Sequence, residues 1–325
     1  MENFVVSARK YRPADFKSVV GQQHITTTLQ NAIKNKHLAQ AFLFCGPRGV
    51  GKTTCARILA KTINCESITK DFEACGTCDS CVSFQNNASF NVYELDAASN
   101  NSVDDIRNLV EQVRYAPQRG EYKIYIIDEV HMLSQSAFNA FLKTLEEPPK
   151  HAIFILATTE KHKIIPTILS RCQIFDFNRI RVKDISDHLA VIATKEGVTA
   201  DPEALHLIGM KADGALRDAL SIFDQIVTFA GNTVTYKHVL ENLNVLDYDY
   251  YFKVVECAEK EDIPSALLIL NDIYQKGFDG HNFVIGLSDH YRDLLVCKDV
   301  RTLSLMDVPE TIQQKFVEQS KSTES

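Results

Sequence analysis

Residues 41–63 read AFLFCGPRGVGKTTCARILAKTI. An apolar run of strand length, AFLFCG (41–46), passes through GPRGVGKT (46–53) into an amphipathic helical segment, KTTCARILAKTI. The middle string satisfies G-x-x-x-x-G-K-[ST] and stands between strand and helix, where that pattern acquires physical meaning. Glycines let successive backbone N–H groups curl around phosphates without a Cβ in the way, and the helix N-terminus adds favourable partial charge. The residues expected to line a nucleotide are Gly46, Pro47, Arg48, Gly49, Val50, Gly51, Lys52, Thr53 and Thr54. Lys52 is the cation for the β- and γ-phosphates, and the Thr53 hydroxyl is a ligand for Mg2+.

Outward from this stretch the same alternation repeats. NVYELD (91–96) precedes VDDIRNLVEQV, KIYIID (123–128) precedes SAFNAFLKTLEE, and AIFILATT (152–159) precedes IIPTILS. Apolar strands without inside/outside alternation, bracketed by helices, call for an α/β fold with a parallel sheet covered on both faces. Ser102 and Asp105 form an [ST]-x-x-[DE] capping pair, with Ile106, Leu109, Val110 and Val113 on one face, and Pro117 with Gly120 closes that element. Beyond about residue 181 the strand signal fades, and ALHLIGMKA, GALRDALSIFDQIVTFA and IPSALLILNDIYQKGF carry helical spacing. Gly231-Asn232 and the stretch from Asp247 to Tyr250 read as breaks. The expected organisation is an α/β domain over 1–180, a helical domain over 181–243 and an all-α segment over 244–325 whose last residues, SKSTES, fray.

A second half of the site is IYIIDEVH (124–131), an apolar strand ending in adjacent carboxylates. Asp128 is placed to hold the metal and Glu129 to polarise a water. Thr158 and Thr159 end the next strand, where a hydroxyl can meet that water or the γ-phosphate.

The 325 residues, 45% hydrophobic and 24% charged, describe a globular chain of two or three domains. The start lacks a signal-peptide core and no segment reaches the length of a membrane span, so a cytoplasmic protein is expected. The net charge of −7 argues against indiscriminate nucleic-acid coating. Residues 1–180 carry 21 basic and 18 acidic side chains, residues 181–325 carry 14 and 24, so phosphate-backbone contacts belong with the first part.

Four of the nine cysteines fall in CESITKDFEACGTCDSC (65–81). A reducing compartment makes Cys65, Cys75, Cys78 and Cys81 candidates for a metal site in preference to disulfides. A closed zinc site with four thiolate ligands folds a loop too small for its own core. An iron–sulfur cluster shares C-x2-C-x2-C but places its fourth cysteine three residues downstream, whereas here it lies upstream; independent thiols are the third option. Cys45, Cys55, Cys172 and Cys257 fall in or beside apolar runs and read as core residues.

Taken with ARKYRPADFKSVVGQ (8–22), ELDAASN, YKIYIIDEVHMLS, FLKTLEEPP, ILATTE, ILSRC and GALRDALSIFDQ (214–225), the sequence resembles the ATPase subunit of the bacterial replicative clamp loader, the DNA polymerase III gamma/tau family of the AAA+ class. The resemblance runs to about residue 243. It implies ATP, Mg2+ and Zn2+ as cofactors, with Lys52, Thr53, Asp128 and Glu129 in the roles above and Thr159 as the sensor of the γ-phosphate. It implies Arg171 as an arginine finger reaching a neighbour's nucleotide, Arg217 as the second sensor from the helical lid, and the RPADF/VVGQ segment as the adenine-side wall. Residues 181–243 become the lid and 244–325 an incomplete collar for oligomerisation. The implied partners are sister subunits and copies of the chain in a pentamer-like ring, a sliding clamp, primed DNA, and polymerase core and helicase through a further C-terminal region; no membrane is implied. Arg107, Lys143 and Lys161 stand as guesses for DNA contacts. The alternatives are a non-catalytic zinc-bearing adaptor of the same complex, disfavoured by the intact Lys52, Thr53, Asp128 and Glu129, and a branch-migration or helicase-loading motor, which leaves the cysteines unexplained.

Overall fold

The computed structural model describes residues 5–117, 120–243, 246–306, 308 and 310–322. Its contacts divide the chain into two compact units, Met1–Asp184 with Asp213–Ser221, and Ile185–Ala212 with Ile222–Ser325.

The first unit is built on β1 (Ala41–Cys45), β2 (Val92–Asp96), β3 (Lys123–Asp128), β4 (Ala152–Thr158) and β5 (Gln173–Asp176), all parallel, in the order β2-β3-β4-β1-β5. Its helices are α1 (Ser7–Lys10), α2 (Gln23–Lys34), α3 (Lys52–Ile63), α4 (Asp79–Gln85), α5 (Val103–Val113), α6 (Gln135–Glu146) and α7 (Pro166–Leu169). Every residue of β1 and β4 is buried, because the sheet is covered on both faces. On one face Phe42, Phe44, Ile124 and Ile155 pack with Leu29 of α2 and Leu59 of α3. On the other, Leu43, Tyr125, Phe154 and Leu156 pack with Ile106 of α5 and Phe141 of α6. Each such side chain contributes about 1.5–3 kcal/mol on burial.

The Ser102 cap forms, its hydroxyl accepting the Asp105 N–H at 3.2 Å, and Ile106, Leu109 and Val113 are buried. Helix α5 stops at Val113, ahead of the expected Pro117–Gly120 end; Gln118 and Arg119 lie outside the described residues. The sequence pattern missed β5, an edge strand in which only Phe175 is buried. In IIPTILS only Pro166–Leu169 is helical.

The second unit is mostly helical, drawing on α8 (Val182–Glu196), α9 (Pro202–Lys211), α10 (Leu216–Ala230), α11 (Tyr236–Leu243), α12 (Tyr248–Glu259), α13 (Ile263–Gln275), α14 (Gly280–Cys297) and α15 (Glu310–Ser322). The all-α expectation is corrected in one detail: β6 (Thr199–Ala200) pairs in parallel with β7 (Thr233–Val234), a ribbon too short to leave a periodic signal. Asp247 opens α12 as its cap, accepting the Asp249 N–H, so the expected break there is a helix start. His290 of α14 is enclosed by the rings of Tyr251, Phe252 and Phe316. The expected fraying of SKSTES does not hold for Ser320–Ser322, which continue α15; residues 323–325 lie outside the described residues. Among the described residues no helix is long and apolar enough to cross a membrane.

Candidate functional site

Strand β1 delivers the chain to Gly46 at φ 146°, where an added Cβ would lie 2.4 Å from the Phe177 carbonyl oxygen. Only glycine fits that approach. At Gly49, φ 77°, a Cβ would come within 2.9 Å of the Ala215 Cβ, and the Gly49 carbonyl accepts the Arg217 N–H at 3.3 Å. Gly51 then caps α3 from the left-handed region.

The loop encloses Lys52, whose buried Nζ donates to the Gly46 and Pro47 carbonyls, each at 2.7 Å. Burial holds its pKa below the ordinary lysine value, while Glu129 and Asp128 pull the other way. Thr53 donates its hydroxyl to Asp128 Oδ2 at 2.6 Å. Glu129 turns away from β3 with φ 47°, and its N–H donates to Asp128 Oδ1 at 3.0 Å. Its Oε2 accepts the Thr159 hydroxyl at 2.9 Å and the Thr159 N–H at 3.3 Å. Lys52, Thr53, Asp128, Glu129 and Thr159 thus meet outside the carboxyl ends of β1, β3 and β4, the usual ligand position of an open parallel sheet. Thr158 is turned elsewhere: fully buried, its hydroxyl accepts the Glu160 N–H at 3.0 Å and lies 3.0 Å from His131 Nδ1.

Arg171 does not join this group. Its guanidinium donates to the Thr167 carbonyl and to Glu146 Oε1, each at 2.8 Å. Arg217 meets the loop through its backbone. Among the guessed DNA contacts, Arg107 pairs with Asp104 at 3.4 Å, Lys161 holds Asp176 at 2.9 Å, and Lys143 is exposed.

Sequence reasoning missed four residues. Arg12 donates from Nε to Thr54 Oγ1 at 3.2 Å, and burial, with Arg57 nearby, lowers its pKa. Gln22, fully buried, donates to the Asn178 carbonyl at 2.7 Å and toward the Val50 carbonyl at 3.5 Å. His131 stands between Glu129 Oε2, 3.4 Å away, and Glu160 Oε2, 3.0 Å away. The fourth is Glu73, in the cysteine loop. The segment RPADFKSVVGQ carried the signal for Arg12 and Gln22 as a block, but no periodicity singled out either residue.

The sulfur atoms of Cys65, Cys75, Cys78 and Cys81 lie within 4.8 Å of one another. A tetrahedral ion with ~2.3 Å metal–sulfur bonds needs sulfurs about 3.8 Å apart, and Cys75 and Cys81 stand at 4.0 Å. The Cys75 sulfur accepts N–H groups of Thr77 at 3.5 Å and Cys78 at 3.3 Å, which lower its pKa to about 6. Burial pushes Cys65 and Cys81 up, a cost that a bound cation removes. The donor set fits a thiophilic ion. Cys45 and Cys55 are buried, with pKa values raised to about 11 and about 12, as expected of core thiols; Cys172 and Cys257 are only partly covered.

Residues 21–181 match the family described as DNA polymerase III, delta subunit, and residues 184–232 match the DNA polymerase III clamp loader subunit, ATPase lid domain. The chain is 46% identical over 290 residues to DNA polymerase III subunit tau of Bacillus subtilis, covering 89% of this chain and 51% of that protein. It is 37% identical over 305 residues to DNA polymerase III subunit gamma of Buchnera aphidicola from Baizongia pistaciae, covering 94% and 82%. It spans about half the length of the first of these relatives. Among solved structures, the Thermotoga maritima RuvB Holliday junction branch migration motor superposes with a TM-score of 0.55 at 19% identity, over 76% of this chain and 78% of that one. That likeness establishes the AAA+ fold and leaves the choice of motor open. With the phosphate loop, the paired carboxylates and the lid match in one chain, the protein belongs to the DNA polymerase III gamma/tau subunit family.

Proposed function

We propose that this chain is an ATP-hydrolysing subunit of a replicative clamp loader, in which ATP held at one subunit and completed by its neighbour drives loading of a sliding clamp onto primed DNA. The observation that carries this reading is the hydrogen-bonded series Thr53–Asp128–Glu129–Thr159 beside the loop 46–53. Backbone N–H groups of residues 48–53 receive the phosphates, with Thr54 following in α3, and Lys52 exchanges its two carbonyl partners for phosphate oxygens. Thr53 and Asp128 hold Mg2+, which supplies neutralising charge to the β- and γ-phosphates when bound. Glu129 takes a proton from the attacking water as the bond from the γ-phosphorus to the bridging oxygen breaks, giving ADP and inorganic phosphate. Thr159 reads the γ-phosphate.

Arg171, exposed and bonded to Thr167 and Glu146 of its own chain, supports a role toward the neighbouring subunit's nucleotide, and Arg217 supports the second-sensor role from the lid. The energetic source is the difference in affinity between ATP-bound and ATP-free arrangements for clamp and DNA. Residues 1–180, 181–243 and 244–325 serve as ATPase, lid and collar, with sister subunits and copies of the chain as ring partners in the cytoplasm. The four cysteines hold Zn2+ in a structural role. The adaptor reading has no observation in its favour, since the nucleotide residues are present and assembled.

ATP turnover, measured with and without sister subunits, clamp and primed DNA, tests the proposal. Stimulation by the full set is expected, and its absence overturns the reading.

A further inference from the structure

The cysteine loop reaches beyond its four thiols. Between Cys65 and Cys75 the chain folds back on itself, the Thr69 N–H donating to the Glu73 carbonyl at 2.9 Å and the Glu73 N–H to the Thr69 hydroxyl at 3.1 Å. This turn presents the Glu73 carboxylate to the N-terminal segment. Oε2 accepts the Phe16 N–H at 3.1 Å; Oε1 accepts the Lys17 N–H at 3.2 Å and Gln30 Nε2 at 3.0 Å. The two amides begin the 3-10 turn Phe16–Ser18, where helical geometry leaves N–H groups without internal acceptors. Asp15 takes the remaining Ser18 N–H at 2.9 Å.

Residues 12–22 are tied at one end to α3 and at the other to the phosphate loop. Arg12 is bonded to Thr54 at one end, and Gln22 reaches the Val50 carbonyl at the other. Phe16, 1% exposed, is buried in the core between them. Glu73 therefore grips this segment midway between its attachment to α3 and its attachment to the loop. A carboxylate accepting three donors is a strong local tie, because charge-assisted hydrogen bonds are the stronger kind.

We propose that Glu73 is a positioning residue for the nucleotide site, through which the four-cysteine loop sets where residues 12–22 stand against the phosphate loop. The inference rests on the nucleotide reading above. Glu73 is bonded to the Phe16 and Lys17 amides and to Gln30, and acts through them. One residue separates it from Cys75, so order at the thiols and order at the nucleotide wall are linked.

The test compares the whole 325-residue chain with Glu73→Ala and Glu73→Gln, by calorimetric titration with MgATP and by residue-resolved hydrogen exchange. In Glu73→Ala, exchange at Phe16 and Lys17 is expected to rise about tenfold or more, and MgATP binding to weaken about fivefold. Metal content and exchange in β4 stay parental, which separates this effect from misfolding. Glu73→Gln, which keeps an acceptor oxygen, falls between. A zinc chelator applied to the nucleotide-free parent reproduces the faster exchange at Phe16 and Lys17, and adds nothing in Glu73→Ala. Parental MgATP affinity in Glu73→Ala, or continued protection of both amides once the chelator has removed the bound metal, overturns this proposal alone. A parent chain that binds no MgATP overturns the nucleotide reading and this proposal with it.

Discussion

Thr159 holds Glu129: its hydroxyl and its N–H both donate to one carboxylate oxygen, at 2.9 and 3.3 Å, across the ends of two adjacent strands. On the reading proposed above Thr159 also meets the γ-phosphate, so engagement of Thr159 by phosphate is expected to release Glu129. Glu129→Gln is expected to bind MgATP at parental affinity and to lose about 10²–10⁴ in turnover by the assembled complex. Thr159→Val is expected to lower kcat with little change in KM. A steady-state titration of ATP checks both.

Lys52 is buried and donates to two carbonyls of its own loop. Lys52→Ala is expected to weaken MgATP binding at least about 100-fold, since several charge-assisted bonds at about 1.5–3 kcal/mol each are lost. Calorimetry with the isolated chain measures this directly.

Arg171 meets Glu146 and Thr167, away from the five residues gathered beside the loop. Arg171→Ala is expected to leave the MgATP affinity of the isolated chain unchanged, while turnover in the complete assembly falls about 10³-fold. An equal loss of binding and turnover would refute a role toward the neighbour.

The cysteine module predicts one zinc per chain by elemental analysis of the purified protein, and none after Cys78→Ser. Chelation is expected to lower the first unit's melting temperature while the sheet's circular dichroism persists below it, because the strands have their own core.

Buried His290 is expected to make the second unit sensitive to acid. Burial lowers its pKa, Nε2 is bonded to Gln319 at 2.9 Å, and Nδ1 has no hydrogen-bond partner among the described residues. The unfolded chain therefore binds the extra proton, and stability is lost as pH falls below about 6.5 toward the lower folded-state value. His188, also lowered by burial, adds in the same direction. Urea unfolding at pH 5 and 7.5 is expected to show this loss, and His290→Gln to reduce it.

The phosphate loop was legible because its glycines and lysine do local work, and β1, β3 and β4 because burial on both faces leaves unbroken apolar runs. Strand β5 was hidden because a single inward residue, Phe175, makes no pattern. The Thr159–Glu129 bond joins residues 30 apart whose meeting depends on the register of β3 with β4. His131 and Glu73 were invisible for the same reason: their partners are chosen by the assembled sheet and by a loop folded over the N-terminal segment.

The strand order carries a consequence for synthesis. Strand β1 lies between β4 and β5, with Ala41 opposite Phe154 and Phe42 opposite Gln173. A nascent chain emerging from the ribosome exposes the phosphate loop early, yet neither flank of the strand before it finds a neighbour until more than a hundred further residues have been translated. Over that interval the β1 edge is an open template for aggregation. Chaperone demand should therefore fall once the segment through Asp176 has left the exit tunnel.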